Sequence, residues 1–393
     1  MLYLFKRDII SLKELLNNFV NGFKKVKVYQ LSKLSKWNIK DKTILLFEPN
    51  HYHYECSPGY AKYFVDLGYN VDVLMKKQGK DSFYFFENKD KIRLFIYDNL
   101  KQIRNYSKDL RSHFRSYSYI VIQTLSTKTF GTISKLGLNR NDKAIYIFHF
   151  TKYYKILHFS SIKNINRVWT LGNFSVGLQV VPFYIGNLKL KNKNKRTRFF
   201  TVSTVSRQYN YLISAFEKLK DNNFDFDVIV VGKVKRFSTK NISEKLKDNF
   251  IFNYKVNYET LYKLVYSSDY IIITLDPDDK KNRIFKNKKV TGSAQLSLGF
   301  LKPAIINKYF QDKYDMNEEN CFPFDKKNIY NTLKEAILFN NENYKKMQLN
   351  LINLANKAKE KSIINIKKTL NSLKRSIIIR HKRIFNFFKF AIN

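Results

Sequence analysis

The sequence predicts two α/β domains, each built on a doubly wound parallel sheet. The chain has 393 residues, more than one hydrophobic core usually organises. Short β-branched runs alternate with helical patterns, which is typical of parallel strands joined by helices. This alternation starts again halfway along the chain. With 44% hydrophobic and 16% aromatic residues, there is enough apolar material for a core in each domain.

The first domain is predicted from a buried strand, a helix that ends at a glycine, and a second strand. These are Thr43–Phe47, Tyr60–Gly68 and Val71–Met75. Further strands are predicted at Ile92–Tyr97, Tyr119–Gln123, Ala144–His149 and Arg167–Leu171.

The second domain repeats this layout from a strand near Phe199. The elements that follow are helix Tyr211–Leu219, strand Asp227–Gly232, strand Phe250–Asn253, helix Tyr258–Ser267, strand Tyr270–Leu275, helix Gly292–Leu298 and strand Ala304–Asn307. Two sets of βαβ units predict two Rossmann-like domains with a cleft between them.

A basic, apolar-poor stretch at residues 186–198 is predicted to be the linker between the domains. It separates a first domain at 41–185 from a second at 199–360. Outside them, residues 1–40 and 361–393 show apolar residues every three or four positions, which predicts basic amphipathic helices at both termini. Such helices either pack on their own domains or lie along an anionic membrane surface.

The formal net charge of +40 predicts an anionic partner: nucleic acid, a membrane face or a phosphorylated small molecule. The N-terminus has no uninterrupted signal-peptide core, and no run approaches the roughly 20 apolar residues that cross a bilayer. Cys56 and Cys321 lie far apart and indicate no disulfide framework. A soluble or peripheral protein of a reducing cytoplasm is expected.

The segment that follows strand Tyr270–Leu275 is the most informative. An acidic turn leads into a basic stretch that includes Arg283 and Lys289, and Thr291, Gly292 and Ser293 then open a helix. Free backbone N–H groups, two hydroxyls and the positive helix end would together bind a phosphate. The alternative is an ordinary Ser/Thr helix cap beside a solvated basic loop.

This segment, TGSAQLSLGFLKPAIIN, resembles the donor domain of GT-B glycosyltransferases of bacterial surface-polysaccharide biosynthesis. The resemblance covers residues 199–339, and the earlier half matches in general layout. One departure concerns a Glu-x7-Glu pair of the large retaining family, whose places hold Lys286 and Ala294 here. Inversion or retention of stereochemistry therefore stays open.

The resemblance implies a nucleoside-diphosphate sugar as donor substrate and no required cofactor. It places the diphosphate near Thr291, Gly292 and Ser293. Two residues lie at positions where such enzymes contact the donor. They are Arg207, in the loop TVSTVSRQYN, and Lys233, which follows VVG. Arginine suits a diphosphate because its planar fork makes paired hydrogen bonds.

The loop FEPNHYHYECSPGY follows the first strand of the first domain and would face the donor site. Sugar transfer needs a base for the acceptor hydroxyl, and Glu48, His51, His53 and Glu55 are the candidates. A surface loop without a catalytic role is the alternative. His51, His53 and Cys56 do not predict a metal site, since no second Cys/His cluster completes the ligands.

His149 ends another strand of the first domain, where similar enzymes carry an acceptor-side histidine; a buried structural histidine is the alternative. Lys152 and Lys155 nearby suit an anionic acceptor such as a lipid-linked diphosphate sugar.

The leading hypothesis is a glycosyltransferase that transfers sugar to a glycan or lipid-linked acceptor in surface polysaccharide, capsule or lipopolysaccharide synthesis. It would act at the cytoplasmic face of the cell membrane. A nucleic-acid-binding protein, to which the charge and the aromatic residues are suited, is one alternative. An inactive scaffold of the same fold is another.

Overall fold

The computed structural model describes residues 26–34, 36–150, 165–174, 176–203, 210–232 and 242–391, with the backbone alone for 203 and 377–391. Within these residues the strands form two sheets, one of eight strands and one of six. All the strand pairs are parallel. Apolar clusters cover both faces of each sheet. The prediction of two doubly wound parallel-sheet domains is confirmed.

The first lobe holds the eight-stranded sheet. Its strands are β1 Lys27–Gln30, β2 Thr43–Phe47, β3 Asn70–Lys76, β4 Ile92–Tyr97, β5 Tyr119–Ile122, β6 Ala144–Phe148, β7 Val168–Thr170 and β8 Leu178–Gln179. Its helices are α1 Leu31–Leu34, α2 Ser57–Asp66, α3 Leu100–Asn105, α4 Ser107–His113 and α5 Thr127–Lys135. The spatial order β1-β4-β3-β2-β5-β6-β7-β8 reverses direction between β2 and β5.

The second lobe holds the six-stranded sheet. Its strands are β9 Thr197–Ser203, β10 Phe226–Gly232, β11 Phe250–Asn253, β12 Tyr270–Ile273, β13 Ala304–Asn307 and β14 Cys321–Phe324. Its helices are α6 Asn210–Asp221, α7 Tyr258–Ser267, α8 Lys280–Asn287, α9 Gly292–Phe300, α10 Lys308–Gln311 and α11 Ile329–Leu338, and α12 Asn341–Ala391 follows. The order β11-β10-β9-β12-β13-β14 reverses between β9 and β12.

The first sheet begins earlier than predicted. Residues 27–30, placed in an N-terminal helical segment, form edge strand β1, and Tyr29 stacks on Phe95 of β4 with ring centroids 5.5 Å apart. This aromatic contact lies far along the chain and is invisible to a local pattern. Residues 1–25 lie outside the described residues, so the amphipathic helix there stays a prediction.

The C-terminal helix begins earlier than predicted and connects the lobes. Residues 341–391 contain neither glycine nor proline, so the segment predicted to start at 361 is the end of the 51-residue helix α12. Its Ile366, Leu370 and Leu373 belong to the core of the first lobe. Trp169 Nε1 donates to Thr369 Oγ1 at 2.9 Å. Along residues 362–373 the helix therefore packs on the protein.

The linker region is held by hydrogen bonds. The backbone N–H of Lys191 donates to Gln348 Oε1 at 3.0 Å, and that of Asn194 donates to Asp269 Oδ1 at 3.0 Å. Both acceptors belong to the second lobe or to α12, so the connection runs along that lobe. Among the described residues, no helix is both long and apolar enough to cross a membrane.

Candidate active site

The loops of interest follow the strands at which each sheet reverses its order. In the first lobe these are the loop after β2, residues 48–56, and the loop after β5. In the second lobe they are the loops after β9 and after β12. Ligands of doubly wound sheets bind at such positions, outside the carboxyl ends of the strands. Arg207 and Lys233, both predicted donor contacts, lie outside the described residues.

Glu48 anchors the loop after β2. Its side chain is fully buried, and its two oxygens accept hydrogen bonds from the Asn50 backbone N–H at 2.8 Å and from Thr124 Oγ1 at 2.6 Å. Tyr97 donates to its backbone carbonyl at 2.9 Å. Burial raises the pKa of Glu48 to about 8, although the hydrogen bonds act against it. A carboxyl so enclosed organises the loop and offers no oxygen to a substrate.

His53 and Glu55 form a hydrogen-bonded pair. His53 Nδ1 lies 3.4 Å from Glu55 Oε1, and the His53 side chain keeps 24% of its surface exposed. Donation from Nδ1 to the carboxylate leaves Nε2 of a neutral imidazole with the lone pair. His53 has φ of +70°, a left-handed conformation that costs a non-glycine residue about 1–3 kcal/mol. A histidine oriented by a carboxylate in this way is equipped to act as a base.

His149 lies beside His53, with ring centroids 4.3 Å apart. It is buried, and its Nε2 donates to the Gln123 carbonyl at 3.0 Å, which leaves the lone pair on Nδ1. Burial, followed by the charges of His53 and Lys289, holds its pKa well below the usual value. His149 is therefore a neutral neighbour of the pair. His51, by contrast, is exposed, with its ring against Tyr52.

The opening of α9 comes from the second lobe. Thr291 caps the helix, because its Oγ1 accepts from the Ser293 backbone N–H at 3.4 Å, and the Thr291 N–H donates to Tyr314 at 3.1 Å. Both Thr291 and Ser293 are buried, whereas Gly292 is partly exposed. The N-cap foreseen as the alternative is thus present. What this helix end offers outward is backbone at Gly292.

Gly292 faces the first lobe. A Cβ added at this residue would stand 3.2 Å from Glu55 Oε1. The carboxylate that orients His53 therefore lies against the positive end of α9. Nearby, a single antiparallel bridge joins Phe150 to Lys289. We call this contact region the lobe junction: Glu55 and Phe150 from the first lobe, Gly292 and Lys289 from the second.

The basic stretch before α9 is partly a helix rather than a loop. Asp279 accepts from the Lys281 N–H at 2.8 Å and begins α8. Arg283, predicted to meet the donor, is exposed and donates to the Pro277 carbonyl at 2.8 Å. In the preceding turn, Asp276 pairs with Lys326 at 2.8 Å. These contacts hold the turn together locally.

Three residues that adjoin the candidate site were not predicted from the sequence. Gln123 and Thr124 follow β5 and adjoin the loop after β2, since the Gln123 backbone N–H donates to the Phe47 carbonyl at 2.9 Å. Tyr258, at the start of α7, donates to Glu55 Oε2 at 2.8 Å. The adjacency of β2 and β5 is a property of strand order, and no local pattern marks Tyr258.

Comparison with known proteins gives similarity of structure only. No protein-family model and no curated protein matches the chain. It is similar to a solved glycosyltransferase from Rickettsia africae, with 16% identity over 88% of this chain and 99% of that one and a TM-score of 0.48. The glycosyltransferase VinC in complex with dTDP has 11% identity over 85% and 100%, and a TM-score of 0.45.

A protein from Listeria monocytogenes described as a UDP-N-acetylglucosamine 2-epimerase has 9% identity over 79% of this chain and 91% of that one, with a TM-score of 0.48. Similarity at this level says nothing about substrate or catalytic residues.

Proposed function

We propose that the chain is a glycosyltransferase that moves a sugar from a nucleoside diphosphate to a hydroxyl of a glycan or lipid-linked acceptor. One observation carries the proposal. The His53–Glu55 pair of the first lobe lies directly against the start of α9 in the second, with Glu55 Oε1 3.2 Å from the Cβ position of Gly292. A base and an anion-stabilising helix end thus come from opposite lobes to one place.

The reaction is a displacement at the anomeric carbon. His53 Nε2 accepts the proton of the acceptor hydroxyl, and the hydroxyl oxygen forms the new bond to that carbon. The bond from carbon to the diphosphate oxygen breaks, and the diphosphate leaves with the electron pair. A base on the acceptor side suits a single displacement, which inverts the configuration.

The departing diphosphate gains negative charge, and in this proposal the second lobe stabilises that charge. Backbone N–H groups at the start of α9 and the positive helix end stabilise such charge. Lys289 lies at the same junction. Arg207 and Lys233, implied by the resemblance, add cationic charge. The carboxylate of Glu55 repels the diphosphate, so in this proposal the donor binds beside Glu55 and needs these cations.

The acceptor is proposed to belong to surface-polysaccharide synthesis at the cytoplasmic membrane face. Support comes from the sequence of α12 beyond residue 373, which reads KRSIIIRHKRIFNFFKFA and holds no acidic residue. Basic helices with phenylalanine on an apolar face suit an anionic membrane surface. Cosedimentation with vesicles that contain anionic lipid measures this binding. A protein that stays in the supernatant at both low and high salt would contradict the proposal.

Nucleotide binding is the direct test of the enzyme. We expect UDP, GDP or dTDP, or one of their sugars, to raise the melting temperature of the full chain. The Arg207→Ala variant is expected to bind that nucleotide at least about tenfold more weakly, because a paired charge-assisted contact is lost. Binding is measured by calorimetry, and transfer by release of the nucleoside diphosphate.

Two results would overturn the proposal. One is the absence of stabilisation by every nucleoside diphosphate and nucleotide sugar. The other is tight oligonucleotide binding whose affinity falls steeply with salt, which indicates a nucleic-acid-binding protein instead.

A further inference from the structure

A tyrosine of the second lobe reaches the catalytic pair of the first. Tyr258 Oη donates to Glu55 Oε2 at 2.8 Å, while Glu55 Oε1 faces His53. Each carboxylate oxygen of Glu55 therefore makes one hydrogen bond, Oε1 with the first lobe and Oε2 with the second. A carboxylate with both oxygens engaged has a fixed plane, and that plane sets the orientation of the imidazole.

Tyr258 is itself held in place. Asn257 caps α7 by accepting from the Thr260 N–H at 2.8 Å, so Tyr258 occupies the first helical position. Its ring makes edge-to-face contacts with Tyr54 and with Tyr262, both at 5.7 Å between centroids. Burial raises the pKa of Tyr258 well above its usual value, and the charge of Glu55 adds to this. The phenol therefore remains a hydrogen-bond donor.

Packing from the first lobe supports the same contact. Tyr54, which touches the Tyr258 ring, lies over Gly79, where an added Cβ would come within 2.5 Å of the Tyr54 ring. Tyr54 also donates to the Asn50 carbonyl at 2.9 Å. The loop that carries Glu55 and the helix that carries Tyr258 are thus pressed together through aromatic rings.

The charge on Glu55 depends on these partners. Burial alone would raise the pKa of the Glu55 carboxyl, but hydrogen bonds with His53 and Tyr258 lower it overall. The start of α9 at Gly292 also favours the carboxylate. Glu48 is an acidic residue of the same loop, and its Oε2 accepts a hydrogen bond from Thr124 Oγ1 at 2.6 Å.

We propose that Tyr258 is a positioning residue for the His53–Glu55 base, so that the base on the acceptor side is complete only while the donor lobe is in contact with it. This inference rests on the proposed glycosyl transfer. It links the two substrates: a donor lobe that moves away removes the hydrogen bond and leaves Glu55 free to turn from His53. Proton abstraction is then favoured only when both lobes are in place.

The test is Tyr258→Phe, which removes one oxygen and keeps the ring contacts. We expect kcat to fall about tenfold, consistent with one charge-assisted hydrogen bond, while the KM for the nucleotide sugar changes less than twofold. The acidic limb of the kcat/KM profile should move to higher pH. A Glu55 carboxylate that has lost the hydrogen bond from Tyr258 is protonated at a higher pH.

Tyr262→Phe is the matched control. It lies one helical turn further along α7, is buried, and its hydroxyl has no hydrogen-bond partner among the described residues. We expect unchanged kcat and an unchanged pH profile. Equal losses in both variants, or a Tyr258→Phe loss confined to the melting temperature with no shift of the pH profile, would overturn the positioning role.

A second readout separates this inference from the proposed function. The carboxyl carbon of Glu55 can be followed by ¹³C NMR in selectively labelled protein, with Glu55→Gln to assign the signal. We expect the Glu55 titration to move to higher pH in Tyr258→Phe and to stay in place in Tyr262→Phe. A Glu55 titration that is unchanged in Tyr258→Phe refutes the inference even if sugar transfer is demonstrated. If no nucleotide sugar is a substrate, the proposed function fails on its own, whatever the NMR result.

Discussion

The two sides of the lobe junction contribute different kinds of chemistry. The first lobe presents side chains: His53 with an exposed edge, Glu55 beside it and neutral His149 behind. The second lobe buries the hydroxyl-bearing residues Thr291 and Ser293 and turns the backbone of Gly292 outward. Proton transfer requires a titratable group, whereas stabilisation of a leaving group requires only fixed positive charge. Under the proposed function, the first lobe supplies the proton acceptor and the second lobe supplies the fixed positive charge.

The strongest way to break this comparison is to remove the proposed base. We expect His53→Gln to lower kcat by about 10²–10⁴-fold, the usual worth of a general base, and to leave nucleoside diphosphate affinity within about twofold. Transfer rate and calorimetric binding are measured on the same preparation.

His51→Gln is the control for that change. His51 lies two residues away in the same loop and is exposed, so the rate should stay close to that of the unaltered protein. A large loss at His51 with little at His53 would reverse the assignment of the base.

An intermediate effect is expected from Gly292→Ala. The new Cβ would stand 3.2 Å from Glu55 Oε1, closer than most real contacts, and Glu55 must move to admit it. We expect roughly tenfold slower transfer together with weaker nucleotide binding, because the methyl group covers backbone that the phosphate needs. Both values come from initial rates at varied donor concentration.

Gly131→Ala is its matched control, since Gly131 lies in α5 and an added Cβ meets nothing within 4 Å. There we expect full activity and a slightly higher melting temperature, as for other glycines inside helices. A normal rate in Gly292→Ala would show that the start of α9 takes no part in the reaction.

The smallest effect concerns stability and Glu48. Its pKa rises from an ordinary 4.5 to about 8 in the folded protein. The folded state therefore holds the proton more tightly, and the stability this provides is complete below pH 4.5 and is lost as the pH rises through about 8. Glu48→Gln mimics the protonated form and cannot ionise.

We expect the melting temperature of Glu48→Gln to match that of the unaltered protein near pH 5 and to exceed it by several degrees at pH 9. Thermal unfolding across this range measures the difference. A constant offset at all pH values would mean that Glu48 does not titrate with folding.

Local patterns predicted most of the fold. Strands β2, β4, β11 and β13 and helix α7 have the bounds that the periodicity indicated, because buried β-branched runs and amphipathic stripes are local properties. Edge strand β1 was missed since its stabilising contact with Phe95 is remote in sequence. Helix α8 was taken for part of a loop because its short sequence, KKNRIFKN, holds only two apolar residues, although Asp279 caps it.

The candidate site was predictable in part. The loop after β2 and the start of α9 could be singled out because they follow strands and carry chemistry-bearing residues. The choice among Glu48, His51, His53 and Glu55 could not be made, because it depends on burial and partners. Tyr258 is 203 residues from Glu55 in sequence, and such a contact emerges only when the two lobes are assembled.

The path of α12 has a consequence for biosynthesis. The indole of Trp169 and the backbone near Val181 find their partners in Thr369 and Ser362. During translation, the apolar surface of the first lobe that α12 covers stays exposed until the second lobe and α12 have been synthesised. We therefore expect nascent chains that stop before residue 362 to be bound by chaperones.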